Sequence, residues 1–184
     1  YALFGFSVPQ FVLSTRPKDA MGDPNIWDQA EATLKTVLDQ AGGKYEVAAG
    51  EGAFYGPKID FNFKDAIGRV WQLGTIQMDF FLPQRFRCEV INEKSESEPV
   101  VVIHRAVFGS LERFLGVCIE HFAGKFPPWL APVQVKLVPI SDQFVGYLDQ
   151  EVIPGLESKG VRFEKDYRNE KIGYKIRENQ MHKV

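Results

Sequence analysis

Apolar residues along this chain switch between the spacing of a helix and that of a strand, and the switches fall at glycine and proline. Trp27, Ala30, Leu34, Val37, Leu38 and Ala41 recur at helical steps and predict a helix with one buried face. Asp23 is placed to cap it, Pro24 suits its first position, and Gly42-Gly43 ends it. Strands follow over 45–48, 59–64 (cleanly alternating) and 70–80. Asp65-Ala66-Ile67-Gly68 folds the last two into an antiparallel hairpin. Strands over 87–91 and 100–106 flank the polar stretch Asn92–Pro99, which reads as a solvated hairpin tip. A helix over 110–122 is expected to bury Phe114, Leu115, Cys118, Ile119 and Phe122.

The proline-dense segment 126–132 is the expected domain boundary. Beyond it the order is strand (133–140), helix (to 158, stopped by Gly160), strand (161–167) and helix (169–180). That order implies a parallel strand pair. The fold class is therefore α+β: an antiparallel-sheet domain over 1–130, then part of an α/β domain over 131–184. Two repeats are too few to close such a domain, and Tyr1 follows no start methionine, so the chain reads as a piece of a longer one.

Composition narrows the picture modestly. A formal charge of −2 argues against a general nucleic-acid coat, but not against an enzyme that binds RNA along one face. Cys88 and Cys118 suit neither a disulfide framework nor a metal pair and fit a reduced intracellular compartment. No apolar run approaches the roughly 20 residues of a membrane span.

Four places carry candidate chemistry. Gly109-Ser110-Leu111-Glu112-Arg113-Phe114 sits where a strand becomes a helix; Ser110 can cap, and Arg113 in the first turn offers a planar cation for a triphosphate or adenine. Alone, such an arginine is more often a surface ion pair. His104 lies in the apolar strand 100–106, where a histidine is more often a satisfied core residue than a ligand. Tyr55 and Lys58 stand on a loop shaped by Gly56 and Pro57, an ordinary turn in its plainest reading. Gln72 and Gln77 share an apolar strand and need polar partners, yet five residues apart a regular pleat sends them to opposite faces. Further on, Tyr167 to Arg177 mixes bases, amides and aromatics at a strand–helix junction.

In this order, the segments Glu51–Asp60, Trp71–Phe80, Ile103–Ala106 and Gly109–Phe114 resemble the second half of the catalytic domain of the threonyl-tRNA synthetases, class II aminoacyl-tRNA synthetases. The resemblance continues into the start of their anticodon-binding domain and covers nearly the whole chain. It implies that 1–130 is the C-terminal part of the catalytic domain and 131–184 the N-terminal part of the anticodon-binding domain.

By the same resemblance Ser110 and Arg113 belong to the third class II signature, whose arginine contacts ATP, and Tyr55 packs against bound threonine. Lys58 supplies charge near carboxylate and phosphates, and Gln72, Thr75 and Gln77 line the substrate and ATP site. Both glutamines can do so only if a bulge near Gly74-Thr75 resets the strand's phase. Arg113, Lys58 and Gln72 are the implied catalytic residues. His104 is implied as one of three Zn2+ ligands; Cys88, Cys118, His121 and His182 match neither of the other two, which in the family lie upstream with the first two signatures. Zinc that binds both amine and hydroxyl would reject valine, which an apolar pocket does poorly. Asn169, Lys171 and Arg177 are implied anticodon contacts, since unpaired loop bases are read by such groups.

The implied parent is a cytoplasmic homodimer without membrane partners, using ATP with Mg2+, L-threonine and threonine tRNA. The rival expectation is an inactive synthetase-derived fragment or paralogue that binds RNA or protein. The joint presence of Gln72, Gln77, His104 and Arg113 argues against a paralogue, but the chain alone is expected to be inactive.

Overall fold

Asp23 caps its helix through its carboxylate, which accepts from the Asn25 N–H at 2.8 Å. That helix, α1 (Pro24–Gln40), buries Trp27, Ala30, Leu34 and Leu38. Val37, 50% exposed, and Ala41 lie outside the stripe, contrary to the sequence pattern. Leu34 and Leu38 define the line of contact; Val37 is one 100° step off it, and Ala41 caps the helix end.

The computed structural model describes residues 1–183, and the chain divides into two compact units, Tyr1–Cys118 and Ile119–Val184. The first is built on a five-stranded sheet containing β1 (Gln10–Ser14), β2 (Tyr45–Ala48), β3 (Lys58–Lys64), β4 (Val70–Asp79) and β7 (Val102–Ala106), in the order β2-β1-β3-β4-β7. Only the β1–β2 pair is parallel. The apolar spacing did not mark β1, whose Phe11-Val12-Leu13 run is short and unalternating. Leu13 and Ile59 pack with Leu34 and Leu38, so α1 covers one face of the sheet. Trp27, Ala30 and Phe80 form a second cluster. β3 keeps the alternation expected of it, with both faces covered at its start, where Ile59 and Asp60 are both buried. One goes to the α1 face and the other into a polar network on the opposite face.

The polar stretch 92–99 is more than a hairpin tip. Ser97–Pro99 forms β6 and pairs with β5 (Glu89–Ile91). The strand after it, β7, joins β4 in the main sheet instead. Asn92 shapes the turn by accepting from the N–H groups of Lys94 and Glu96. Short α2 (Leu82–Arg85) precedes β5, and α3 (Leu111–Phe122) follows β7.

In α3 the buried residues are Phe114, Val117 and Cys118; Leu115 and Ile119 are about half exposed and so correct the predicted stripe. Phe114 sets that orientation by stacking on Phe108 at 4.1 Å and meeting Phe4 edge-on at 4.9 Å.

In the second unit β8 (Val135–Leu137) and β9 (Phe163–Lys165) pair in parallel, each shorter than its apolar run suggested. Between them the chain is helical from Asp142, with α4 at Val145–Tyr147, a π turn at Leu148–Val152 and α5 at Ile153–Ser158. Pro154 explains the wider turn, since it has no N–H for the carbonyl of Gln150. The proline-rich segment is tied down by Arg162, which donates to the carbonyls of Ala131 (2.8 and 3.1 Å) and Trp129 (3.1 Å). Helix α6 (Ile172–Met181) is the last element among the described residues.

Candidate active site

The sheet face opposite α1 collects the polar residues, and strand register explains how. Lys58 pairs with Gln77 and Asp60 with Thr75, so these four side chains fall on one face. His104 on β7 pairs with Gln77 and joins them. Phe61 pairs with Gly74 but Asn62 with Gln72, leaving Leu73 as an extra residue in β4. This bulge brings Gln72 into phase with Thr75 and Gln77. The phase reset that the two glutamines required is present, one residue before Gly74-Thr75.

Asp60, 5% exposed, sits at the centre. It accepts from Ser14 Oγ at 2.9 Å, Gln72 Nε2 at 2.5 Å and Thr75 Oγ1 at 3.1 Å, and pairs with Lys58 Nζ at 2.8 Å.

Tyr55 reaches the same face because its loop lies against β4. A Cβ on Gly56 would stand 1.5 Å from the Met78 carbonyl oxygen, so only glycine permits that approach. The Tyr55 hydroxyl donates to Gln77 Oε1 at 2.7 Å, and its ring meets His104 edge-on at 5.7 Å. Burial, then the nearby Asp79 charge, pushes the Tyr55 pKa up and keeps the phenol a donor.

His104 Nε2 lies 2.9 Å from Asp79 Oδ2. Asp79 is 1% exposed, and its other oxygen accepts from the N–H groups of Phe81 and Leu82 at 3.0 and 2.9 Å.

At the other end of the bulge, Ser110 Oγ accepts from the Arg113 N–H at 3.2 Å, in the capping role expected of it. Arg113 Nη1 donates to the Gln72 carbonyl at 3.2 Å, with its guanidinium 5.9 Å from the centre of the Trp71 ring. Trp71 is held by its N–H to Asp65 at 3.0 Å. Gly109 turns into α3 at φ 67°, and a Cβ there would stand 3.0 Å from the Leu73 carbonyl. The bulge and the third signature therefore fit against each other.

The expected first-domain residues thus converge: Tyr55, Lys58, Gln72, Thr75, Gln77 and His104 in one constellation, with Ser110 and Arg113 beside it. Sequence reading missed Asp60, Asp79 and Ser14. The signal was available for the two aspartates, each a lone carboxylate inside an apolar strand, where it needs buried partners. Zinc does not fit this donor set by itself. Among the described residues no three His, Cys, Asp or Glu side chains converge.

In the second unit Asn169, Lys171 and Arg177 are all exposed. Lys171 immediately precedes α6, and Arg177 lines a surface hollow with Tyr174, Glu178, Met181 and His182. Other bases of this stretch serve the fold. Arg168 grips both oxygens of buried Asp166 at 2.7 and 2.8 Å, and buried Lys175 donates to the Asp166 carbonyl at 3.1 Å.

Residues 1–122 match the family described as tRNA synthetase class II core domain (G, H, P, S and T), and residues 134–184 match an anticodon binding domain. The chain belongs to the class II aminoacyl-tRNA synthetases. Within that class it is 55% identical over its whole length to the threonine–tRNA ligase of Clostridium tetani, and 54% identical over 96% of its length to that of Fusobacterium nucleatum. It spans only 28% of either relative. The solved RNA binding domain of threonyl-tRNA synthetase from Cryptosporidium parvum Iowa II superposes with a TM-score of 0.93 at 40% identity, covering 100% of this chain and 46% of that one. No helix among the described residues is long and apolar enough to cross a membrane.

Proposed function

We propose that this chain is part of a threonine–tRNA ligase that activates L-threonine with ATP to threonyl-adenylate and passes the aminoacyl group to the terminal adenosine of threonine tRNA. The observation that carries the reading is the convergence of Tyr55, Lys58, Gln72, Thr75, Gln77 and His104 on one sheet face beside Arg113. In the first step the threonine carboxylate attacks the α-phosphate of ATP and pyrophosphate leaves; in the second, a ribose hydroxyl attacks the activated acyl carbon. Neither step needs a protein nucleophile, so catalysis rests on positioning and charge stabilisation.

Lys58 is placed to meet carboxylate or phosphate oxygens, Gln72, Thr75 and Gln77 to fix polar groups, and Arg113 to stabilise phosphate charge. Magnesium bound with ATP would neutralise phosphate charge. His104 offers one imidazole nitrogen, and a zinc ion reading the threonine hydroxyl would take its remaining ligands from outside the described residues.

Residues 1–130 serve as the C-terminal part of the catalytic domain and 131–184 as the start of the anticodon-binding domain. There the exposed Asn169, Lys171 and Arg177 meet anticodon bases and backbone. The parent acts as a cytoplasmic homodimer. A purely binding role is less well supported, because the similar proteins are ligases. The test is ATP–pyrophosphate exchange by the full-length protein with each amino acid in turn. Exchange that does not depend on threonine refutes the reading.

A further inference from the structure

We infer that Asp60 is a positioning residue that sets the hydrogen-bond polarity of the substrate face. This inference rests on the reading just proposed. An ionised carboxylate has about four lone-pair sites, and all four are used here. Oδ1 takes Gln72 Nε2 and Thr75 Oγ1; Oδ2 takes Ser14 Oγ and Lys58 Nζ. Three of these donors are the very side chains placed to meet substrate.

The consequence follows from donor bookkeeping. Gln72 spends one of its two amide N–H groups on Asp60, which fixes the amide's orientation and leaves its side-chain oxygen for a ligand. Thr75 spends its only hydroxyl proton the same way and presents lone pairs. Gln77 is the reverse: its oxygen accepts from Tyr55, which leaves its amide to donate. Lys58 keeps further N–H donors while its ammonium is held, with the side chain 16% exposed. The face is therefore split. Gln72 and Thr75 receive a donor group such as an ammonium or ribose hydroxyl; Gln77 and Lys58 meet carboxylate or phosphate oxygens. Without Asp60, the Gln72 amide and Thr75 hydroxyl are free to turn, and the match with substrate is lost.

The experiment uses the full-length protein and threonine-dependent pyrophosphate exchange, measured below each variant's unfolding temperature. If the wild type shows no such exchange, the functional reading fails, independently of this inference. With an active wild type, Asp60→Asn is expected to lower kcat/KM about 100-fold, the scale of a small misplacement of reacting groups. Gln72→Glu sets two carboxylates face to face and is expected to lose a similar factor. The exchange of roles, Asp60→Asn with Gln72→Glu, restores an amide-to-carboxylate hydrogen bond and still offers the ligand an acceptor. It should recover at least about tenfold over Gln72→Glu, a coupling expected of residues in contact. Activity of Asp60→Asn within threefold of wild type, or losses that multiply in the double variant, overturns the inference. If Asp60→Asn does not fold, Gln72→Glu decides. Its deficit should shrink between pH 8 and pH 5.5, as one of the facing carboxylates takes a proton beside Lys58. A deficit independent of pH overturns the inference.

Discussion

Asp79 Oδ2 stands 2.9 Å from His104 Nε2. The same carboxylate caps the turn into α2 through the Phe81 and Leu82 amides. One buried group thus couples the orientation of a site residue to the path of the chain after β4. With Nε2 turned to the carboxylate, Nδ1 is the ring nitrogen left for a ligand.

Replacing Asp79 with Ala orphans two backbone donors and frees the imidazole. The full-length protein should lose about 1–3 kcal/mol of stability, read as a lower urea midpoint with unchanged slope, and its KM for threonine should rise. An unaltered midpoint would show that water replaces the cap without cost.

Arg113→Ala should slow threonine activation by roughly 2–4 kcal/mol of transition-state stabilisation, the usual loss for a preorganised charge-stabilising group. Pyrophosphate exchange measures it directly. Unchanged kinetics would reduce Arg113 to a support for Gln72 and Trp71.

Arg177→Ala removes an exposed cation far along the sequence from the activation residues. It is expected to raise KM for threonine tRNA in aminoacylation while tRNA-independent exchange stays at the wild-type rate. Equal loss in both assays would mean that Arg177 acts through folding of the second unit.

Acid should loosen the second unit through Asp166. The bidentate Arg168 guanidinium lowers its carboxyl from the ordinary 3.8 to about 2. A depressed folded-state pKa stabilises above the unfolded value and is lost as pH falls from about 4 towards 2. Urea unfolding at pH 5 and pH 3 should differ more for the native sequence than for Asp166→Asn. An identical difference in both would assign the acid sensitivity to other groups.

The 184-residue chain purified alone should hold zinc well below one equivalent and form no threonyl-adenylate. His104 and Asp79 do not make a three-ligand set, and affinity depends on all ligands converging. Metal analysis together with pyrophosphate exchange checks both. Near-stoichiometric zinc with threonine-dependent exchange would contradict this expectation.

The sequence by itself determined the longer helices but not short α2, most strand positions and the order of the signature residues. Asp23-Pro24 and Gly42-Gly43 are local signals, and local hydrogen bonding is enough to act on them. Taken with the family resemblance, the glutamine spacing implied a bulge before any register was known. Tertiary structure alone decided which apolar positions stay buried: Leu115 and Ile119 share a spacing with Phe114, but the Phe4–Phe108 cluster takes only one side of α3. It also decided that β6 takes β5 as its partner, and that Asp60 gathers donors from β1, β3 and β4. Such contacts join residues up to 46 positions apart. Periodicity reports which face a residue occupies within its own element; only the register between elements says what stands opposite it.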